Sequence, residues 1–340
     1  MAEEDDTQDR ERLWELIWGG AIGQAMHVAV QLGIPEILQA GPQSLEQLVA
    51  ETSSDPWTLE TILRGLTAFD VLQVDGQQRF SLSRMGKLLT KSSAGTFAGE
   101  AGVFFEMIYR PMDGLMHMAK TGGVAFDHVY GMPFYQYLSE HPEIAAFFYD
   151  TMSRNTPSRY AELAAVCDFS HVRQLVDVGG GEGALMIQIL QQNAHVAARL
   201  LELPGAIDRA RRRIEEAGLS DRCELIAGNF LESVPAGGDL YLLAQILNNW
   251  RDDEARQILT RCRSAMNDSG RLLVLEGVYM PGTPVPPWRA LVSLGVVAQR
   301  GGRTRSERQL RTLLASSGFR VNDIRCLSPG ATYAIEARPI

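Results

Sequence analysis

The chain has 340 residues, more than one hydrophobic core usually holds (about 250–300), so two domains are expected. A hydrophobic share of 45% and a charged share of 21% are ordinary for a globular protein, with disorder expected only at Met1–Arg10. The formal charge of −9 argues against nucleic acid or an anionic membrane as partner, the acidic start MAEEDDTQDRERL against a signal peptide, and the lack of any run of about 18 apolar residues against a membrane span.

Between Arg12 and Ala40, Trp14, Ile17, Trp18, Ala21, Ile22, Ala25 and Ala29 form a helical stripe, and Leu13, Leu16, Met26 and Val28 widen it. So broad an apolar surface needs cover. A second copy of the chain is an economical source, although the rest of the same chain is another. Ser44–Glu51 and Ser54–Leu72 read as helices, with Pro56 suited to a first turn. LQV, DGQQ and RFSLS then read as a hairpin around an Asp-Gly turn. Helix, helix and hairpin is the order of a winged helix. On its second helix, Pro56–Phe69, only Arg64 is basic, which favours a scaffold over a DNA reader.

Gly99–Ala165 is rich in Phe, Tyr and Met and reads as helices around Val103–Ala119, Pro133–Glu140 and Pro142–Cys167. The aromatic residues serve either as core or as the lining of a small apolar ligand pocket. From Arg173 onward short apolar strands alternate with helices, beginning with QLVDVG and helix Ala184–Gln191 and continuing to helix Ser306–Ser317. That pattern predicts a parallel sheet covered on both faces, ending in an antiparallel hairpin of FRVNDIRCL and ATYAIEARP linked by SPG. The expected division is 1–100 for the helical and winged-helix domain, 101–170 for a pocket region and 171–340 for the α/β domain.

The four cysteines, Cys167, Cys223, Cys262 and Cys326, are far apart and form no CxxC pair, which suits a reducing cytoplasm. None of the six histidines has metal-ligand spacing, so no metal is expected. The basic runs Arg209–Arg213 and Arg300–Arg311 read as solvated charge.

The most informative stretch is Asp177-Val178-Gly179-Gly180-Gly181-Glu182-Gly183, which follows a strand and opens a helix. Glycines there let a ligand lie against the backbone. About twenty residues on, Glu202 ends the second strand, where a carboxylate accepts the hydroxyls of a ribose. A pyrophosphate would be repelled by Asp177 and Glu182, whereas S-adenosylmethionine, with its sulfonium and ammonium, suits them.

DVGGGEGAL, LELP, GNFLESVPAG and LLAQILNNWRDDEARQIL together resemble the small-molecule O-methyltransferase family of plants and bacteria, over nearly the whole chain. The resemblance implies a Rossmann-like class I methyltransferase domain preceded by a mainly helical winged-helix domain that forms a homodimer. It also implies a small-molecule substrate and S-adenosylmethionine held by Gly179, Gly181, Glu202, Leu203, Asn229 and Phe230, with Asp177 and Gly180 shaping the loop. The family usually has Asp at Asn229, often Asp at Glu202 and commonly Lys at Ala244.

The family's methylating members carry His-Asp-Trp where this chain has Asn248-Asn249-Trp250, and that His removes the acceptor's proton. Asparagine orients but takes no proton near neutral pH, so general-base help worth about 10²–10⁴-fold is missing at this position. Of the two acids that flank the His, one is matched by Glu276 and the other is replaced by Thr304. Glu276 is therefore a candidate base or orienting anion, and His117 a candidate on the pocket helices, as are Glu106 and Tyr109. Three classes of function follow. They are methyl transfer to carbon, nitrogen or an acidic hydroxyl, non-methylating chemistry such as decarboxylation, hydroxylation or rearrangement, and a noncatalytic partner of the same fold.

Overall fold

The computed structural model describes residues 2–93, 96–154, 156–328 and 332–340, and the chain divides after Arg110 into two units. In the first, α1 (Ala2–Gln31) begins inside the segment expected to be disordered. It stops where Gly33 takes a left-handed φ of 72° and Pro35 follows, so the helix expected through Ala40 becomes α1 and a short α2 (Ile34–Gln39). Ser44 caps α3 (Leu45–Thr52) reciprocally with Gln47, and Asp55 caps α4 (Pro56–Ala68) by accepting the Thr58 N–H.

Strands β1 (Leu72–Val74) and β2 (Phe80–Leu82) pair antiparallel and complete the helix–helix–hairpin order. Their turn differs from the expected one. Gln78, not Gly76, is left-handed at φ 58°, because the Asp75 carboxylate accepts the N–H groups of Gln77 and Arg79 and ties the loop from its first residue. Leu48, Leu59, Leu63 and Leu66 form the core with Ala29 and Val30 from the end of α1. After α5 (Ala98–Phe104), the helix expected through Ala119 is broken by a π turn at Phe105–Tyr109 and a 3-10 turn at Arg110–Gly114. Pro111 explains the break, since it lacks an N–H and crowds the preceding turn.

The second unit opens with helices α6 (Leu115–Thr121), α7 (Ala125–Tyr130), α8 (Phe134–Glu140), α9 (Pro142–Arg154), α10 (Thr156–Arg159) and α11 (Leu163–Val166). The last three replace one long helix expected over Pro142–Cys167, part of which, Asn155, lies outside the described residues. Then come β3 (Gln174–Val178), α12 (Ala184–Gln192), β4 (Ala197–Glu202), α13 (Pro204–Glu216), β5 (Cys223–Ala227), β6 (Leu240–Ala244), α14 (Asp252–Ala265), β7 (Arg271–Glu276), β8 (Val278–Tyr279), α15 (Pro287–Arg300), β9 (Arg305–Ser306), α16 (Glu307–Ser316), β10 (Phe319–Ser328) and β11 (Thr332–Pro339).

Seven strands form one sheet in the order β10-β11-β7-β6-β3-β4-β5, parallel except for β11, which runs antiparallel to both neighbours. The terminal hairpin stands at the edge as expected, and the SPG link falls largely in 329–331, outside the described residues. Successive strand residues face opposite layers. Leu175, Leu242 and Leu273 pack with Leu185, Ile189 and Ile214 of α12 and α13, whereas Val176, Leu243 and Leu272 pack with Ile258, Leu259 and Leu314 of α14 and α16. Both faces are dry, which is why the strands read as unbroken apolar runs. Strand order reverses at β3, which lies between β4 and β6, so the crevice for a ligand lies at the carboxyl ends of these strands. Among the described residues, no helix is long and apolar enough to cross a membrane.

The first half of α1 bears Leu13, Trp14, Leu16, Ile17 and Trp18, each 57–65% exposed. Because Ala29, Val30, Ile34 and Leu38 belong to the core, removing residues 1–40 would unfold the unit as well as uncover it. Replacing Trp14 and Trp18 together by Glu isolates the surface. The double variant is expected to keep its helix content and run as a monomer by light scattering at micromolar concentration, where the parent chain runs as a dimer. A monomeric parent would overturn this.

Candidate functional site

The loop after β3 is shaped by what surrounds it. A Cβ on Gly179 would meet Ile246 Cδ1 at 2.6 Å and Phe230 Cε1 at 3.1 Å, and one on Gly180 would meet Asp177 Oδ2 at 2.3 Å. Gly181 differs. Its φ is 60° and nothing lies within 4 Å of its Cβ position, so this glycine faces open space.

Asp177 is buried and neither carboxylate oxygen has a hydrogen-bond partner among the described residues. Burial, with the nearby Glu202 carboxylate adding to it, pushes its carboxyl up to about 7. An unpaired buried carboxylate at the base of a glycine loop suits a cation. Glu182 carries none of that role, contrary to expectation. It is turned away into ion pairs with Arg209 (3.0 Å) and Arg213 (2.8 Å) and accepts from Ser153 Oγ at 3.1 Å. Arg209 and Arg213 are thus structural rather than simply solvated.

Glu202, at the end of β4, accepts the N–H of Gly181 at 2.9 Å and that of Leu203 at 2.7 Å. Burial outweighs these bonds and raises its carboxyl above the usual range. Each oxygen keeps a second lone pair for a hydroxyl donor. Beyond β5, the Asn229 side chain is engaged in its own turn, its oxygen accepting the Leu231 N–H at 3.0 Å and its nitrogen donating to Glu232 at 3.2 Å. The Phe230 ring meets Trp250 edge-on, centroids 5.7 Å apart.

Asn248 lies on the turn beyond β6. Its backbone N–H donates to Glu276 Oε1 at 2.7 Å and its amide nitrogen to Gln245 Oε1 at 3.1 Å, while its amide oxygen is buried without a partner. Glu276 is buried at the end of β7, and desolvation lifts its carboxyl to about 7 against the pull of Arg305, the N–H groups of Asn248 and Leu247, and Arg289. Thr304, at the place of the second family acid, joins a hydroxyl chain with Ser293 (2.7 Å) and Tyr279. His117 on α6 stacks flat on His128, centroids 3.9 Å apart, and among the described residues no hydrogen bond joins it to Asn248 or Glu276.

Three features escaped the sequence. Arg305, in a run read as solvated, is fully buried and donates to the carbonyls of Leu247 and Trp250 and to the carboxylate of Asp252. Gln245 has a left-handed φ of 56°, and its amide donates to the Leu275 carbonyl at 3.3 Å while accepting from Asn248. Helix α15, for which no element was expected, brings Arg300 to Asn249 Oδ1 at 2.5 Å. Only the local register of GGRTRS hinted at Arg305.

A glycine loop after the first strand of the sheet, an acid ending the second and a turn beyond the fourth, all at the carboxyl ends of neighbouring strands, form a nucleotide-type site that suits a cation. The chain belongs to the O-methyltransferase family: the O-methyltransferase domain matches residues 112–320 and the O-methyltransferase dimerisation domain residues 14–92. It is similar to 3-amino-4-hydroxybenzoate 4-O-methyltransferase of Streptomyces cremeus (34% identity, 98% of this chain and 90% of that one). Aclacinomycin 10-hydroxylase RdmB of Streptomyces purpurascens is 32% identical over 93% of this chain and 86% of its own. Among solved structures, mitomycin 7-O-methyltransferase MmcR superposes with a TM-score of 0.94 at 31% identity, covering 99% of this chain and all of that one. The protein is a homodimeric, S-adenosylmethionine-dependent methyltransferase acting on a small molecule in natural-product biosynthesis.

If the Asp177 carboxylate meets the cation, binding is expected to depend on pH. Raised from 3.8 to about 7 in the free protein, it is charged only above that pH. Affinity for S-adenosylmethionine is therefore expected to fall roughly tenfold per unit below about pH 7, and Asp177→Asn to flatten that slope in calorimetry between about pH 5.5 and 8.5. Since ionising a carboxyl of raised pKa costs stability, the contribution of Asp177 to the stability of the free protein grows as pH falls from about 7 toward 4. At pH 8 the free Asp177→Asn variant should therefore melt above the parent.

Proposed function

We propose that this enzyme methylates an acceptor that needs no histidine base: an amine entering neutral, an electron-rich carbon or a hydroxyl already ionised at neutral pH. The observation that carries the reading is the buried, unpartnered amide oxygen of Asn248 at the position of the family's base. An amide oxygen takes no proton, but it accepts a hydrogen bond from an N–H or O–H and so orients the lone pair beside it.

Bound S-adenosylmethionine supplies a methyl carbon made electrophilic by its sulfonium. Asp177, the loop glycines, Glu202, Leu203, Asn229 and Phe230 hold it, Glu202 taking the ribose hydroxyls and Asp177 the positive end. Asn248 would align the acceptor so that its lone pair, or the π pair of an electron-rich carbon, could form the bond to the methyl carbon as the carbon–sulfur bond breaks toward sulfur. A proton then leaves an amine or carbon acceptor. Glu276 is assigned to receive it, because a carboxyl poised near 7 is both available as a base and able to release the proton afterwards. His117, stacked on His128, is left as a structural residue in this reading. The net charge of −9 supports a role without nucleic acid or membrane, and four free cysteines support a cytoplasmic setting. Similarity to a hydroxylase at 32% identity favours one second reading, in which the same site performs non-methylating chemistry.

Asn248→His is expected to lower turnover, because a ring replaces an amide whose two ends both have assigned roles. Asn248→Ala should cost about 1–3 kcal/mol in kcat/KM through the lost contact. Glu276→Gln should cost more and, at saturating S-adenosylmethionine, remove the pH dependence of kcat near 7. Mass spectrometry over a panel of aromatic amines, enols and acidic phenols should show a product heavier by one methyl together with S-adenosylhomocysteine. A large gain from Asn248→His, with methyl on an ordinary phenol oxygen, would overturn the reading.

A further inference from the structure

Arg300 ends α15 in an environment unusual for a cation. Its guanidinium carbon lies 4.6 Å from the Phe134 ring centroid and 5.5 Å from those of Tyr135 and Phe148. One N–H meets the Asn249 amide oxygen at 2.5 Å, and Nε is buried with no partner. Among the described residues it forms no ion pair, whereas Arg209, Arg213, Arg303 and Arg305 of the same unit each have a carboxylate.

The side-chain hydrogen-bond partner of Arg300, the Asn249 amide oxygen, offers a bond but no charge. A partly desolvated guanidinium held among rings with a neutral amide is costly unless an anion arrives, and its planar fork matches a carboxylate. Arg300 bonds the residue next to Asn248, and a run of ring contacts links it to the glycine loop. Gly179 faces Phe230, Phe230 meets Trp250, and Trp250 stacks on Tyr135, over which Arg300 lies.

We propose that Arg300 anchors a ligand carboxylate in the active site. This rests on reading the site as one for S-adenosylmethionine and its acceptor. The carboxylate belongs either to the methionine end of the cofactor or to an aromatic acid serving as acceptor.

Calorimetry on the full-length dimer separates the two sources, using S-adenosylmethionine, its decarboxylated form, 3-amino-4-hydroxybenzoate and the corresponding benzamide as probes. If the cofactor supplies the carboxylate, Arg300→Gln weakens S-adenosylmethionine about tenfold or more and leaves the decarboxylated form unchanged. If the acceptor supplies it, both adenosyl ligands bind as before and the benzoate, but not the benzamide, is weakened by the same factor. Asn249→Asp is a second probe that removes no cation. By giving Arg300 an internal carboxylate, it should weaken the same ligand selectively, and Arg300→Lys should fall between Arg300→Gln and the parent.

Equal losses for each ligand and its uncharged counterpart would mean a distorted site and overturn the proposal. So would unchanged affinity for both adenosyl ligands together with no selective loss, or no binding at all, of the benzoate. A parent protein that fails to bind S-adenosylmethionine would instead overturn the reading beneath it.

Discussion

The site depends on how the chain between Gln245 and Asp252 is held. This turn leaves β6 with a left-handed residue, Gln245, a conformation that costs about 1–3 kcal/mol and persists only where its surroundings over-determine it. The surroundings do so from two sides. Buried Arg305 binds the carbonyls of Leu247 and Trp250 and the carboxylate of Asp252, and buried Glu276 accepts the Asn248 N–H. A guanidinium gathering the carbonyls and a carboxylate taking an N–H leave little freedom between them. Asn248, Asn249 and Trp250 are thereby fixed before any ligand arrives, which is the preorganisation that positioning chemistry requires.

A different economy governs the glycine loop. Asp177 is buried without a hydrogen bond, against the general rule that buried polar groups are paired. Glu182, five residues on, obeys the rule through two arginines and a serine. The contrast separates the two acids by purpose. Glu182 fastens α13 to the loop, whereas Asp177 is left without a partner among the described residues and is costly when charged in the free protein. Local destabilisation of this kind is common where binding must supply the compensation.

Much of the α/β unit was legible because both faces of its sheet are dry. Strands such as Leu240–Ala244 then appear as unbroken apolar runs, and helices between them follow from their spacing. The glycine loop and Glu202 were legible because their roles are backbone geometry and strand position, both local. What escaped was pairing at long range. The burial of Arg305 depends on carbonyls more than fifty residues earlier, and the neutralisation of Glu182 depends on side chains 27 and 31 residues later. Helix α15 was hidden for a local reason: prolines precede it, and Gly295 with Val292, Val296 and Val297 dilutes its helical signal. The hairpin turn also misled, since Asp75 ties it through side-chain bonds that moved the left-handed residue from glycine to Gln78.

The distribution of charge across the site also bears on the chemistry. Asp177 is an anion without a partner and Arg300 a cation without one, while the residues between them on the turn beyond β6, Asn248 and Asn249, are neutral amides. Transfer of methyl from a sulfonium to an anionic acceptor destroys charge, and transfer to a neutral amine moves it. In neither case does the reacting centre gain net charge that would need a fixed counter-ion. A low-dielectric surround of amides and rings therefore does not oppose the step, and for an anionic nucleophile it strengthens the attraction that drives it. In the proposed reading, the neutral amides of Asn248 and Asn249 orient the acceptor, while the charged groups at the edges are left to bind.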